Sequence, residues 1–226
     1  YIIVIGLTGS IGMGKSAVTA MFERLGVPGH DSDAAVHDLM APGGKAYFAI
    51  TAAFPYFEYP QVYTSKKING PLGKMRYLDR KGLGAVVFHN DAKRKELEDI
   101  LHPLVRLAQT DFILEMKRKG KDIVVLDIPL LFETDSHLYV DVSINVAAPY
   151  FVQRARVLAR PNMNEDKFHA ILNTQMPSAE KSRMADYTIP TGLNRAETFA
   201  VVRQVLRDIQ SAKAPKYEQG PTGRIY

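Results

Sequence analysis

The sequence contains no cysteine. That absence excludes disulfide staples and thiolate metal sites, and it fits a reducing compartment, with the cytoplasm as the expected location. No apolar run approaches the roughly 20 residues that span a bilayer, so no membrane association is expected. The opening YIIVIGLTG is too short, and too soon interrupted by glycine, to read as a signal peptide. Also missing are a compact Lys/Arg tract, a basic cluster interleaved with aromatics, internal repeats and histidines at metal-ligand spacing. On residue evidence His30, His37, His89, His102, His137 and His169 therefore read as packed, hydrogen-bonded side chains rather than ligands.

What remains is globular. The 226 residues suit one domain, or one domain with elaborations, and 46% hydrophobic against 23% charged residues exclude wholesale disorder. Twenty-nine Lys and Arg against 24 Asp and Glu leave a net charge of +5. Because the basic residues are dispersed, this balance favours a substrate carrying several phosphates over nucleic acid.

YIIVIGL reads as a buried strand, and Val18, Met21, Phe22 and Leu25 recur at helical spacing up to a stop at Gly26. A second helix is predicted from DSDAAVHDLM. Residues 43 to 77 mix aromatics, Pro and Gly without a sustained period, which predicts an irregular insertion on the substrate side. Residues 80 to 119 are helical in pattern, with Pro103 expected to bend or divide them. DIVVLDIPLLFE and VDVSINV give two more strands, FVQRARVLAR and a charged segment over 161–184 give helices, and ADYTIP gives a last strand before a helix to about Ile209. This alternation predicts an α/β three-layer fold on a parallel sheet. The final SAKAPKYEQGPTGRIY, 211–226, reads as a disordered tail.

GLTGSIGMGKS, residues 6 to 16, holds Gly9, Gly14, Lys15 and Ser16 at the spacing G-x-x-x-x-G-K-[ST], between a strand and a helix. Backbone amides of Gly9, Ser10, Ile11, Gly12, Met13 and Gly14 would cradle nucleotide phosphates. Lys15 would set a charge on them and the Ser16 hydroxyl would ligate Mg²⁺. Asp31 and Asp33, if extended, share one face, where one carboxylate accepts a proton from an attacking hydroxyl and the other orients metal or substrate. A helix cap followed by a first-turn charge accounts for the same pair. Asp127, at the end of a strand, is placed to support Mg²⁺ through water. Arg156 and Arg160, four apart, would share a helical face and reach one phosphate cluster. These residues leave three functions open: an ATP-dependent kinase, with its acceptor unspecified; a nucleotide-dependent switch; and a nucleic-acid-binding module. The chain lacks an N-K-x-D guanine-reading motif.

Together, GLTGSIGMGKS, DSD at 31–33, LDR at 78–80, LEDILHP at 97–103, IPLLFE at 128–133, QRARVLAR at 153–160, and QM with AD over 175–186 resemble the dephospho-CoA kinases. The resemblance runs from Ile2 to about Ile209. It implies a phosphate-loop kinase fold with the nucleotide core in 1–42, 120–152 and 185–210, a mostly helical acceptor region in 43–119 and a lid in 153–184. It also implies ATP and dephospho-CoA as substrates of a monomer or small homo-oligomer, with Mg²⁺ as cofactor. Asp33 would be the general base for the ribose 3′-hydroxyl. Asp31, Arg80, His102 and Glu133 would line or support the acceptor pocket, and Arg156 and Arg160 would serve the nucleotide phosphates. The chain departs from the family pattern at His37, often Arg, at Pro161, often an acid, at Ile171, often a lid arginine, and at Thr191, usually Asn. The aromatic-rich 54–77 segment departs as well.

Overall fold

The computed structural model describes residues 1–70 and 73–212. In chain order its elements are β1 (Ile3–Thr8), α1 (Lys15–Arg24), β2 (Gly29–Asp31), α2 (Ser32–Met40), α3 (Tyr47–Ala53), β3 (Tyr63–Gly70) and β4 (Gly73–Leu78). There follow α4 (Arg80–Phe88), α5 (Asp91–Arg118), β5 (Ile123–Asp127), β6 (Val142–Ala147), α6 (Tyr150–Leu158), α7 (Glu165–Thr174), α8 (Ser178–Met184), β7 (Tyr187–Pro190) and α9 (Arg195–Ser211). The chain divides into two compact units, one formed by Tyr1–Asp31 with Phe112–Tyr226, the other by Ser32–Asp111. The expected tail falls, from residue 213 on, outside the described residues. Among those described, no helix is long and apolar enough to cross a membrane.

The first unit is built on a five-stranded sheet of order β2-β5-β1-β6-β7, with every pairing parallel. Parallel strands are covered by helices on both faces, which explains why β1 and β5 are apolar without alternation. Ile5 and Leu7 point into a core shared with α1 and α9, whereas Ile2 and Val4 enter a second core with Ile113, Met116, Leu131 and Phe132. Each such aliphatic contributes roughly 1.5–3 kcal/mol on full burial. Helix α1 buries Val18, Met21 and Phe22, one face at i, i+3, i+4, and ends where Gly26 takes a left-handed φ of +83°. A capping box between Asn194 and Glu197 starts α9.

The second unit corrects two expectations. The described residues of 43–77 form regular elements: α3 is followed by a 3₁₀ turn at Pro60–Val62 and by the antiparallel strands β3 and β4. The aromatics that broke the period are structural. Tyr47, Ile50 and Phe54 are buried along one side, the Tyr63 hydroxyl donates to Phe54 O at 2.6 Å, and the Tyr47 hydroxyl donates to Arg76 O at 2.7 Å. Their rings fill the core while their hydroxyls satisfy carbonyls that regular ladders would otherwise take. Pro103 does not divide its helix either. Helix α5 runs unbroken from Asp91 to Arg118, and the break lies earlier, at His89 and Asn90. Proline at 103 removes the amide that would bond the Asp99 carbonyl, and both residues are exposed, on a side of the helix open to solvent.

Helix α4 is capped by the Asp79 carboxylate, which accepts from Lys81 N at 2.9 Å. It lies so close to the 3₁₀ turn that a Cβ on Gly82 would stand 1.8 Å from Gln61 O, whereas a Cβ on Gly84 would meet nothing within 4 Å. The two glycines therefore predict opposite signs. Gly84→Ala should raise stability by up to about 1 kcal/mol through helix propensity. Gly82→Ala should lower it by about 1–3 kcal/mol through overpacking, both measured by denaturant unfolding. Equal effects of the two substitutions would refute the close approach.

Candidate active site

In a parallel sheet the chain's direction of travel reverses beside β1, with β5 on one side and β6 on the other. Ligands bind outside the carboxyl ends of the strands at such a point. The loop Gly9–Gly14 leaves β1 there and enters α1. Gly12 and Gly14 have φ of +75° and +87°, and a Cβ on Gly12 would lie 2.5 Å from Val157 Cγ2. Only glycine combines that conformation with that approach. The first intrahelical bond of α1 is Ala17 N to Gly14 O at 3.1 Å, so the amides of Lys15 and Ser16 precede the ladder and lie at the positive end of the helix. The Ser16 side chain is exposed, while the Ser10 hydroxyl is buried without a partner.

Lys15 reaches across to β5, where its ammonium pairs with Asp127. Thr19 Oγ1 lies 3.3 Å from the other oxygen of that carboxylate and donates to Lys15 O at 3.2 Å. Asp127 is only 6% exposed. It is also the register partner of Asp31 on β2, which sets two carboxylates at the ends of neighbouring strands. Burial pushes the Asp127 carboxyl above the usual range; Lys15 opposes that shift and the charge of Asp31 adds to it.

Side chains from α6, the segment after α7 and the turn after β7 hold the loop from outside. Gln153 Nε2 donates to Ile11 O at 2.8 Å, and Ile11 N donates to Gln175 Oε1 at 3.0 Å. The Thr191 hydroxyl donates to Met13 O, and Arg156 donates to Thr191 Oγ1 at 3.1 Å and to Thr191 O at 2.6 Å. A cavity of about 500 Å³ opens beside the loop, lined by Ser10, Met13, Tyr150, Gln153, Gln175 and Met176 among others.

The family model of dephospho-CoA kinases matches residues 3–196. The chain belongs to the dephospho-CoA kinase family. It is 49% identical to the dephospho-CoA kinase of Paramagnetospirillum magneticum over 180 residues, covering 79% of this chain and 77% of that one. The identity is 46% over 207 residues to the enzyme of the same name from Novosphingobium aromaticivorans, covering 92% and 94%. The solved dephospho-CoA kinase from Campylobacter jejuni superposes with a TM-score of 0.63 at 22% identity, over 93% of this chain and 98% of that one. The parallel sheet with flanking helices is the phosphate-loop kinase fold of that family.

The family's motifs are distributed over both units of the chain. Asp31 closes β2 and Ser32 opens α2, so Asp31 and Asp33 do not share an extended face; Asp33 sits exposed in the first turn of α2. The strand is too short to carry the i, i+2 relation past Asp31. Also in the second unit, Arg80 is the exposed first residue of α4, and His102 is exposed on α5 rather than packed in a core. The shared helical face expected for Arg156 and Arg160 does not form. Helix α6 ends at Leu158, and Arg160 lies beyond it with its amide on Val157 O at 3.0 Å and its side chain exposed. Arg154 pairs with Glu165 in the first turn of α7.

Glu133 has structural partners. Its Oε1 accepts from Met176 N and from the Lys181 ammonium, both at 2.9 Å, and Lys181 is fully buried with a second bond to Pro129 O at 3.1 Å. Of the departures from the family pattern, His37 is exposed with its ring 3.7 Å from the Asp38 carboxylate, Pro161 is exposed, Ile171 is half-buried in α7, and Thr191 is buried against the loop. Residue patterns gave no role to Gln153 and Gln175, although both stand in motifs quoted above, and missed Lys181, a single lysine that matches no motif spacing. One signal was present: Gln153 lies four residues before Val157 on the buried side of α6, and a polar residue there needs a buried partner.

Two outcomes follow. Raising the pH through a carboxyl held above its usual value removes stability that was present at lower pH. The stability margin of the unaltered protein over Asp127→Asn should therefore shrink as the pH rises from about 4. A margin that grows with pH would mean that attraction to Lys15 outweighs burial. Lys181→Met, which strands Glu133 with Met176 N as its remaining partner, should cost about 3–5 kcal/mol, while Lys181→Met with Glu133→Leu should recover most of that loss. Chemical denaturation of the two variants checks both values.

Proposed function

We propose that the protein transfers the terminal phosphoryl group of ATP to the ribose 3′-hydroxyl of dephospho-CoA, giving coenzyme A and ADP. The observation that carries this reading is the glycine loop entering α1 at the end of β1, with Lys15 against Asp127, in a chain of the dephospho-CoA kinase family. Phosphoryl transfer asks of a protein mainly position and neutralisation of charge. The amides at the start of α1 and the Lys15 ammonium supply both on the donor side. Lys15 exchanges Asp127 for phosphate oxygens when the nucleotide arrives. The unpartnered Ser10 hydroxyl and the exposed Ser16 hydroxyl are further donors at the same loop.

The donor set fits Mg²⁺. It offers hard oxygens, Ser16 Oγ and the Asp127 carboxylate, and among the described residues no cluster of three or more His, Cys, Asp or Glu forms a cage of its own. Mg²⁺ is held in this way, by one or two protein oxygens with phosphate oxygens and water completing its shell. When bound it neutralises phosphate charge. Ser16 would hold it directly and Asp127 through water.

On the acceptor side, Asp33 takes the proton of the attacking 3′-hydroxyl, a role an exposed carboxylate can fill. Asp31, Arg80 and His102 contact the acceptor. Glu133 supports the pocket indirectly, because its Oε1 is already engaged by Lys181 and Met176. Arg156 and Arg160 serve the nucleotide phosphates, Arg160 from beyond the end of α6.

ADP release measured with and without dephospho-CoA tests the activity; turnover that ignores the acceptor, or that prefers a nucleoside monophosphate, would sink it. Lys15→Ala should abolish measurable transfer. Asp33→Asn should lower kcat by about 10²–10⁴-fold while leaving the KM for ATP nearly unchanged. Full turnover in the Asp33 variant would remove Asp33 from the mechanism.

A further inference from the structure

Three successive carbonyls of the phosphate loop are each claimed by a side chain outside it. Ile11 O accepts from Gln153, Gly12 O from Arg156 Nη1 at 3.5 Å, and Met13 O from Thr191. The middle contact is at the edge of hydrogen-bonding distance, so the outer two carry the arrangement. Gln153 is 3% exposed and Thr191 6%. No peptide in the described chain is cis, and in a trans peptide the C=O and the N–H of the next residue point in opposite directions. Tying Ile11 O to α6 therefore turns the Gly12 amide the other way, and tying Met13 O to Thr191 does the same for Gly14. Between them, Met13 N folds back onto Ser10 O at 3.1 Å and closes the turn.

We infer that Gln153 and Thr191 are positioning residues for phosphoryl-donor binding: by fixing the Ile11 and Met13 carbonyls outward they aim the Gly12 and Gly14 amides at the nucleotide phosphates. Glycine makes the device necessary. A loop with two residues at positive φ has many accessible conformations, and an amide cup binds an anion well only if it is ordered beforehand. The Thr191 hydroxyl has one hydrogen, and its approach to Met13 O directs that hydrogen there. Its lone pairs face Arg156, which also bonds Thr191 O and so fixes the threonine itself. Gln153 projects from the buried side of α6.

The inference rests on the reading that this loop holds ATP phosphates, and the experiment separates the two. Equilibrium binding of ATP and of inorganic tripolyphosphate to the full chain is measured by calorimetry for the unaltered protein, Thr191→Val, Thr191→Ser and Gln153→Met. Valine and methionine keep the volume and remove the donor. Each should weaken both ligands by about 3- to 10-fold, the range of one net hydrogen bond. Serine at 191 should restore binding to within about 2-fold. In turnover, the KM for dephospho-CoA should stay unchanged in every variant. If folded Thr191→Val and Gln153→Met bind both ligands as the unaltered protein does, or if serine is as weak as valine, the positioning role is overturned. Should Thr191→Val fail to fold, Gln153→Met decides alone, since it acts on a different carbonyl. Failure of the unaltered protein to bind either ligand would overturn the nucleotide reading itself, and the positioning role with it.

Discussion

β1 is buried on both faces, and that constraint organises the first unit. A strand with Ile5 and Leu7 in one core and Ile2 and Val4 in another has no solvated side on which to place chemistry. Polar function is confined to its carboxyl end, where the neighbours on either side come from different parts of the chain. The glycine loop, Lys15, Asp127 and the edge residue Asp31 gather there because the sheet order leaves them nowhere else to gather. Side chains from α6, the segment after α7 and the turn after β7 then hold the loop from outside, through hydrogen bonds to its backbone.

The parts of this arrangement that were legible in the sequence share one property: they repeat or they match a spacing. The apolar runs of β1, β5 and β6, the i, i+3, i+4 face of α1 and the loop's glycines each announce themselves locally. The second unit was harder because its core uses aromatics singly, each with a ring inside and a hydroxyl on a distant carbonyl, as Tyr47 does to Arg76 and Tyr63 to Phe54. No period records such contacts. Pro103 misled for a related reason. Its cost depends on whether water reaches the carbonyl it orphans, which is a property of the surface and not of the residue.

Within the site, residue types were readable and their relations were not. Asp31 and Asp33 stand two apart, but a strand ends and a helix begins between them. Arg156 and Arg160 stand four apart, but the helix stops after Leu158. Local spacing predicts a shared face only where one element spans both residues. The supporting side chains, Gln153, Thr191 and Lys181, lie far from the loop and β5 in sequence or carry no formal charge, so only the fold brings their contacts together.

On the function proposed above, the pairing of Lys15 with Asp127 makes anion capture an exchange instead of an addition. A lysine waiting in water would attract any small anion. A lysine already neutralised by a buried carboxylate yields only to a ligand that brings more negative charge, and more acceptor oxygens, than the aspartate it displaces. Triphosphates meet that condition far better than sulfate or a single phosphate. On that proposed function, the resting ion pair works as a threshold that filters ligands by charge before any base or sugar is read.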